Sequence, residues 1–286
     1  MLASLVNGQF TDTISTSDRG LLYGDGLFET LRISQAKPVF WAEHMARLER
    51  DSERLGIVFP GQQILAEEAQ VLISQSKNRD EFDRGILKII LTRGQSERGY
   101  AANPDIPATR ILSLSAAPQN PASYLQNGVE MRVCDIIMAR SPRLAGIKHL
   151  NRLENVLARR EWQDSRIVEG LLLDDRGFVI EGTMSNVFLV KDRHLMTPDL
   201  SQSGVAGVIR EIILRIAGEN RSMFKPVQKN LTLEDLYQAD EVFICNSVIG
   251  IWPVARIEDH DFKVGKDGNP LTTELAESLN TESSTQ

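Results

Sequence analysis

The sequence predicts a mixed α/β protein, and three observations carry that prediction. Runs with the two-residue alternation of a strand and runs with the period of a helix interleave through both halves of the chain. A proline-, asparagine- and glycine-rich stretch, "PQNPASYLQNG" at 118–128, interrupts them near the middle. With 286 residues, 42% of them hydrophobic, the chain can bury a full core and is long enough for two medium domains. We therefore expect a first domain over 1–117, a linker over 118–128 and a second domain over 129–286.

The elements follow in order. "ASLVNGQF" reads as a hairpin turning at Asn7 and Gly8, and "LFETLRIS" with "KPVFW" as a second pair of strands. "AEHMARLERDSERLG" is a helix with Met45, Leu48 and Leu55 on helical spacing and Gly56 as its stop. A further helix is expected over about 61–77, then buried strands in "GILKIILTRG" and "TRILSLSAA". Beyond the linker the pattern gives strands at 129–137, 169–174, 178–182, 185–190, 241–245 and 249–254. Helices are expected at about 151–164, 206–218 and 232–238. The polar tail "NTESSTQ" is expected to fray.

Composition narrows the function. A formal charge of −7 provides no sequence-wide basic field for a nucleic acid backbone. No apolar run approaches the roughly 20 residues that cross a bilayer, so no membrane partner is expected. Cys134 and Cys245 lack metal-like or CxxC spacing, and the N-terminus lacks a basic stretch followed by a long apolar core. These features lead us to expect a cytoplasmic protein with reduced thiols and no metal.

Four segments point to chemistry. In "AGIKHLNRLENV", Lys148 sits at a strand-to-helix seam among Leu144, Ala145, Gly146, Ile147 and Leu150. Apolar surroundings depress a lysine's pKa and leave a nucleophilic amine, as Schiff-base chemistry requires. In "SGVAGVIREIIL", Gly204 and Gly207 precede a helix whose first N–H groups, at Val208 and Ile209, could cup a phosphate. "EHMARLER" sets His44 and Arg47 one turn apart, where the Arg47 guanidinium fork could grip that phosphate. In "GFVIEGTMSNVFLV", Glu181 closes a strand as an acid able to pair with a protonated pyridine nitrogen. Taken singly, each also reads as ordinary structure: a snorkelling lysine, a plain helix start, a solvated arginine, a turn residue. One pyridoxal-type site explains all four together.

The ordered motifs "YGDGLFET", "HMARL", "TRGQSERGY", "IKHLNRLENV", "EGTMSNVF", "GVAGVIR" and "ADEVFICNSVIGIWPV" resemble the fold-type IV pyridoxal-phosphate enzymes over about residues 4–256. The resemblance implies a small N-terminal and a larger C-terminal α/β domain with pyridoxal 5′-phosphate between them, in a homodimer. It implies that Lys148 holds the cofactor, Glu181 pairs with its ring nitrogen, and Arg47, the backbone of Val208 and Ile209 and the Ser247 hydroxyl bind its phosphate. Within that family Thr30, the KHLNRLE run and Asn246 are similar to the lyases that convert 4-amino-4-deoxychorismate to 4-aminobenzoate and pyruvate. Branched-chain aminotransferases tend to carry glycine at the Thr30 position. Arg98, with Arg93 as the weaker candidate, falls where relatives place an arginine for the substrate carboxylate, and it reads equally as a solvated loop residue. The alternatives are a D-amino acid or branched-chain aminotransferase of the same fold, and a cofactor-free binding protein that has lost the chemistry.

Overall fold

A computed structural model of the chain describes residues 3–75, 85–219, 225–265 and 270–284. It divides into two units, one from Met1–Pro118 and Lys148–Asn151, the other from Gln119–Ile147 and Arg152–Thr285. Lys148–Asn151 thus groups with the first unit although 129–286 reads in sequence as one domain.

In the first unit β1 (Ala3–Val6) turns into β2 (Gln9–Phe10) through Asn7 and Gly8, at φ 51° and 80°. Two successive left-handed residues match the strand twist in a two-residue hairpin, and asparagine and glycine tolerate them best. The helix α1 (Arg19–Tyr23) follows, then β3 (Gly26–Ser34), β4 (Lys37–Pro38), α2 (Trp41–Leu55) and α3 (Gln62–Ser74). The strands β5 (Gly85–Thr92) and β6 (Thr109–Ala116) complete a sheet ordered β2-β1-β6-β5-β3-β4, antiparallel throughout. Alternation on β3 sends Leu27, Glu29, Leu31 and Ile33 to the buried face. Against that strand α2 packs a face that buries Met45 and Leu48 but also His44, Arg47 and Asp51. Gly56, at φ 64°, ends α2 as its sequence predicts. Residues 76 and 77 of the expected second helix lie outside the described residues.

The second unit begins with α4 (Ser123–Asn127), a short helix inside the expected linker, and β7 (Val129–Met138). The chain continues through α5 (Leu153–Arg159), β8 (Ile167–Asp174), β9 (Val179–Gly182), β10 (Asn186–Lys191), β11 (His194–Pro198) and α6 (Val208–Glu219). It closes with β12 (Lys225–Lys229), α7 (Leu233–Tyr237), β13 (Glu241–Asn246), β14 (Gly250–Ile257), β15 (His260–Asp261) and α8 (Pro270–Ser284). The sheet runs β12-β11-β10-β13-β14-β7-β8-β9, with β15 on β14, and its parallel pairs are β11/β12, β14/β7 and β7/β8. Its central strands β10 and β13 are buried at nearly every position, so they read as continuous apolar runs instead of alternating ones. Phe188 and Phe243 stack between them, ring centroids 5.0 Å apart.

The C-terminal end departs from expectation. Residues 280–284 of the tail expected to fray are helical, the last turns of α8, and residues 285 and 286 lie outside the described residues. This helix is held by Leu275 and Leu279, both buried, and by Glu241, whose carboxylate accepts from Leu271 N (3.1 Å), Thr272 N (2.7 Å) and Thr272 Oγ1 (2.7 Å). An anion on the first N–H groups of a helix satisfies donors that have no intrahelical partner. Each buried leucine adds roughly 1.5–3 kcal/mol.

Candidate active site

Lys148 is held by its backbone. The segment 148–150 runs antiparallel to the start of β3: Phe28 N donates to Lys148 O (3.0 Å) and Leu150 N to Gly26 O (2.9 Å), with Leu27 and His149 bridged. Lys148 N donates to Asp51 Oδ2 on α2 (3.2 Å). Only glycine fits at 26, because a Cβ there would lie 2.7 Å from Leu150 Cδ1 and from Leu91 O. The side chain carries Nζ to 4.2 Å from the centre of the Phe28 ring, within cation–π range. Thr30 follows Phe28 by two residues on β3 and points to the same half-buried face.

The opposite face of β3 carries an ionic cluster. Glu29 Oε1 and Oε2 accept from Nε and Nη2 of Arg47 (2.8 and 2.5 Å), and Oε2 also accepts from His44 Nδ1 (2.6 Å). Glu29 and His44 are almost fully buried, and Arg47 is 5% exposed. Burial pushes the Glu29 carboxyl up, but the Arg47 charge, the His44 ring once protonated and the hydrogen bonds from both outweigh it and hold it at about 2. Burial pushes His44 below the ordinary histidine value, aided by the Arg47 and Lys148 charges and opposed by Glu29. His44 is therefore neutral, donates through Nδ1 and leaves Nε2 a buried acceptor with no hydrogen-bond partner among the described residues. Arg47 is accordingly a guanidinium whose plane is fixed by Glu29.

The second unit builds a cradle. Glu181, 4% exposed on β9, accepts from Val205 N at 2.8 Å. Asn186 Nδ2 donates to Val205 O (2.9 Å), Gly146 N to Gly204 O (2.9 Å), and Ala206 N to Gly146 O (3.1 Å). The loop that touches Glu181 is thus paired with a residue only two positions before Lys148. A Cβ on Gly207 would sit 2.1 Å from Asn186 Oδ1, and Gly204 adopts φ 82° against Ile180 and Leu200. These glycines bring bare backbone to the start of α6. There the turn bond from Glu211 N to Gly207 O leaves the N–H groups of Val208 and Ile209 without intrahelical acceptors. Donors at a helix N-terminus, next to close-packed glycines, fit a phosphate, and a buried carboxylate in the same unit fits a cationic ring nitrogen.

The remaining candidates are more dispersed. Arg98 is exposed in the 95–101 loop. Arg93 is committed elsewhere: it forks onto Asp25 and donates to the carbonyls of Leu55 and Gly56 at the end of α2. Asn246 donates from Nδ2 to Met184 O (3.0 Å) and accepts at Oδ1 from Val248 N and Ile249 N (2.8 and 2.9 Å), which shapes the turn that carries Ser247.

Sequence reasoning misses several supports. Glu169 is buried on β8, and its carboxylate accepts from Gly170 N, Thr183 N, Thr183 Oγ1, Met184 N and Ser185 Oγ, so it templates the turn that follows Glu181. Arg152 donates to Ile147 O (3.0 Å), and the Glu181 charge supports its own charge against burial. Glu29 and Glu169 do leave a signal: each is an acid on a strand position whose neighbours on that face are apolar.

The chain is similar to known enzymes along nearly all its length. It is 35% identical to an aminodeoxychorismate lyase of Vibrio harveyi, over 96% of this chain and 99% of that one. It is 30% identical to a D-alanine aminotransferase of Listeria monocytogenes, over 95% and 92%. Among solved structures, a 4-amino-4-deoxychorismate lyase from Pseudomonas aeruginosa superposes with a TM-score of 0.89 at 41% identity, covering 97% of this chain and 98% of that one. The family model for amino-transferase class IV matches residues 26–257. The chain belongs to the class IV aminotransferase family, whose enzymes depend on pyridoxal 5′-phosphate.

Proposed function

We propose that this enzyme is a lyase that converts 4-amino-4-deoxychorismate to 4-aminobenzoate and pyruvate. The observation that carries the reading is on β3, where the Thr30 hydroxyl shares a strand face with Phe28, the ring under the Lys148 amine. A glycine at that position, as the resemblance gives for branched-chain aminotransferases, offers no hydroxyl on that strand face. The similarity to two lyases supports the same choice.

In this reading pyridoxal phosphate, when bound, supplies an electron sink for the substrate carbon that bears the amino group. Lys148 Nζ holds the cofactor, and once displaced by the substrate amine it removes the proton from that carbon. Glu181 keeps a proton on the ring nitrogen. Arg47, the N–H groups of Val208 and Ile209 and the Ser247 hydroxyl bind the phosphate, with Asn246 orienting Ser247 as well as meeting substrate. Thr30 either orients the substrate or passes a proton to the enolpyruvyl group as it leaves to become pyruvate. Arg98 meets a substrate carboxylate. The family resemblance implies a homodimer whose sites take residues from both subunits.

A D-amino acid aminotransferase is the second reading, favoured by the Listeria relative. Purified enzyme with aminodeoxychorismate and no added keto acid separates the two. A lyase regenerates its cofactor each cycle, so 4-aminobenzoate and pyruvate are expected in equal amounts with the yellow colour retained. An enzyme that leaves that substrate untouched, bleaches with D-alanine and turns over only once 2-oxoglutarate is present would overturn the lyase reading.

We further infer a homodimer in the cytoplasm. Leu153, Val156 and Leu157 are 75, 53 and 46% exposed on one face of α5, an apolar stripe that a second copy can cover. Light scattering is expected to give twice the 32.0 kDa chain mass, and a monomer at assay concentration would count against it. Both cysteines are buried and free, as a reducing compartment allows. No helix among the described residues is long and apolar enough to cross a membrane.

A further inference from the structure

A buried arginine organises the loop on which Arg98 stands. Arg19, 3% exposed at the start of α1, donates from Nη1 to Ser96 Oγ (2.9 Å), Gly99 O (2.9 Å) and Ala101 O (3.4 Å), and from Nη2 to Tyr100 O (2.8 Å). Its Nε donates to Asp25 Oδ2 (2.9 Å), and Asp25 is held in turn by Arg93. Three successive carbonyls therefore converge on one guanidinium, and the chain from 96 to 101 wraps around it. Tyr23 adds to the arrangement, since its ring lies 4.9 Å from Arg19 Cζ and its hydroxyl accepts from Gly99 N (3.3 Å). Gly99 itself adopts φ 108°, a conformation that side-chain-bearing residues avoid. The Arg98 side chain is left on the outside of this wrap.

We propose that Arg19 is a positioning residue that preforms the 95–101 loop and so sets the affinity of Arg98 for a substrate carboxylate. The proposal rests on the substrate role given to Arg98 above. A planar fork with five donors can satisfy three carbonyls, a hydroxyl and a carboxylate at once, whereas a lysine offers three donors from a single point. Without the fork those carbonyls turn to water and the loop samples many conformations. Binding then carries the entropy of ordering Arg98 each time. The effect falls on substrate binding, because among the described residues none of the Arg19 side-chain hydrogen bonds goes to Lys148 or to a residue assigned to the phosphate.

The test is a cycle of Arg19→Lys, Arg98→Ala and the double variant, assayed with aminodeoxychorismate at saturating cofactor. Arg98→Ala is expected to raise KM by roughly ten- to a hundredfold, the size of one lost charge-assisted contact. Arg19→Lys is expected to raise KM in the same direction while kcat and the cofactor absorbance hold, and the double variant to be no worse than Arg98→Ala alone. Trypsin provides a readout that needs no substrate. Cleavage at the Arg98–Gly99 bond is expected to be slow in wild type, where the loop is clamped, and to accelerate at least severalfold in Arg19→Lys, since proteolysis follows local opening. Should Arg19→Lys not fold, Tyr23→Phe removes only the acceptor of Gly99 N and is expected to move both readouts the same way by less. A normal KM in Arg19→Lys alongside a raised one in Arg98→Ala, or effects that multiply in the double variant, overturns the positioning role and leaves Arg98 as assigned. A normal KM in Arg98→Ala overturns the assignment of Arg98 and this inference with it.

Discussion

Lys148→Ala protein is expected to lose turnover entirely while remaining folded. The two halves of that expectation rest on different atoms of one residue. Activity depends on Nζ, which in the proposed reaction is both the group that holds the cofactor and the base; a positioned general base alone is worth about 10²–10⁴ in rate, and loss of covalent capture compounds it. The fold depends on the backbone, where Lys148 N donates to Asp51, Lys148 O accepts from Phe28 N, and Leu150 N donates to Gly26 O. Alanine keeps every one of these bonds and forfeits the contact with the Phe28 ring, worth about 0.5–2 kcal/mol. Thermal unfolding of the variant is thus expected near the wild-type midpoint, with turnover below detection. Borohydride treatment of wild type followed by peptide mapping is expected to fix the cofactor on the peptide containing Lys148. A label on another lysine, or residual turnover in Lys148→Ala within tenfold of wild type, would remove Lys148 from the chemistry.

The parts of this molecule that are legible in the sequence are those written by apolar periodicity and by glycine. α2 is marked by Met45 and Leu48 and stopped by Gly56, the first hairpin by Asn7 and Gly8, and β10 and β13 by unbroken apolar runs. α8 is not marked in that way, because it is held through the distant Glu241 carboxylate and two leucines in an otherwise polar segment. The ends of α5 follow the same rule. The pattern suggests a helix over about 151–164, yet the helix spans Leu153–Arg159, since three of its apolar residues face outward and give no core stripe to extend. Among candidate site residues, the types Lys148, Arg47 and Glu181 stand out as charges in apolar settings. What a sequence cannot display is the partner that fixes each one. Glu29 lies 18 residues from Arg47, Asp51 lies 97 from Lys148, and Arg19 lies about 80 from the loop it gathers. Such pairs exist only after the antiparallel sheet has set its register.

Glu29→Gln is expected to destabilise the enzyme strongly and to change how it responds to acid. Removing one partner of a buried ion pair leaves the other charge uncompensated, at a cost of about 3–5 kcal/mol, and here the stranded charge is Arg47 at 5% exposure. The pH dependence follows from the direction of each shift. Glu29 is held at about 2, below its ordinary 4.5, so its contribution is present above pH 4.5 and is lost as pH falls towards 2. At about 1.4 kcal/mol per pKa unit this amounts to a few kcal/mol. His44 is held below its ordinary 6.5, so the unfolded chain takes up that proton first, and stability already declines as pH drops below 6.5. Wild type is therefore expected to lose stability in two stages, one beginning below pH 6.5 and a steeper one below 4.5. Glu29→Gln is expected to start several kcal/mol lower at pH 7 and to show a shallower second stage, because the amide does not titrate while other carboxylates held low, such as Asp25, still do. Cofactor retention supplies a second reading of the same substitution: with its carboxylate anchor gone, the Arg47 fork is no longer oriented, and cofactor is expected to dissociate more readily and be partly restored by excess. Chemical denaturation from pH 3 to 8, with and without added pyridoxal phosphate, measures all of this. A variant with wild-type stability at pH 7 and an unchanged acid limb would show that Glu29 does not fix Arg47, however close their atoms lie.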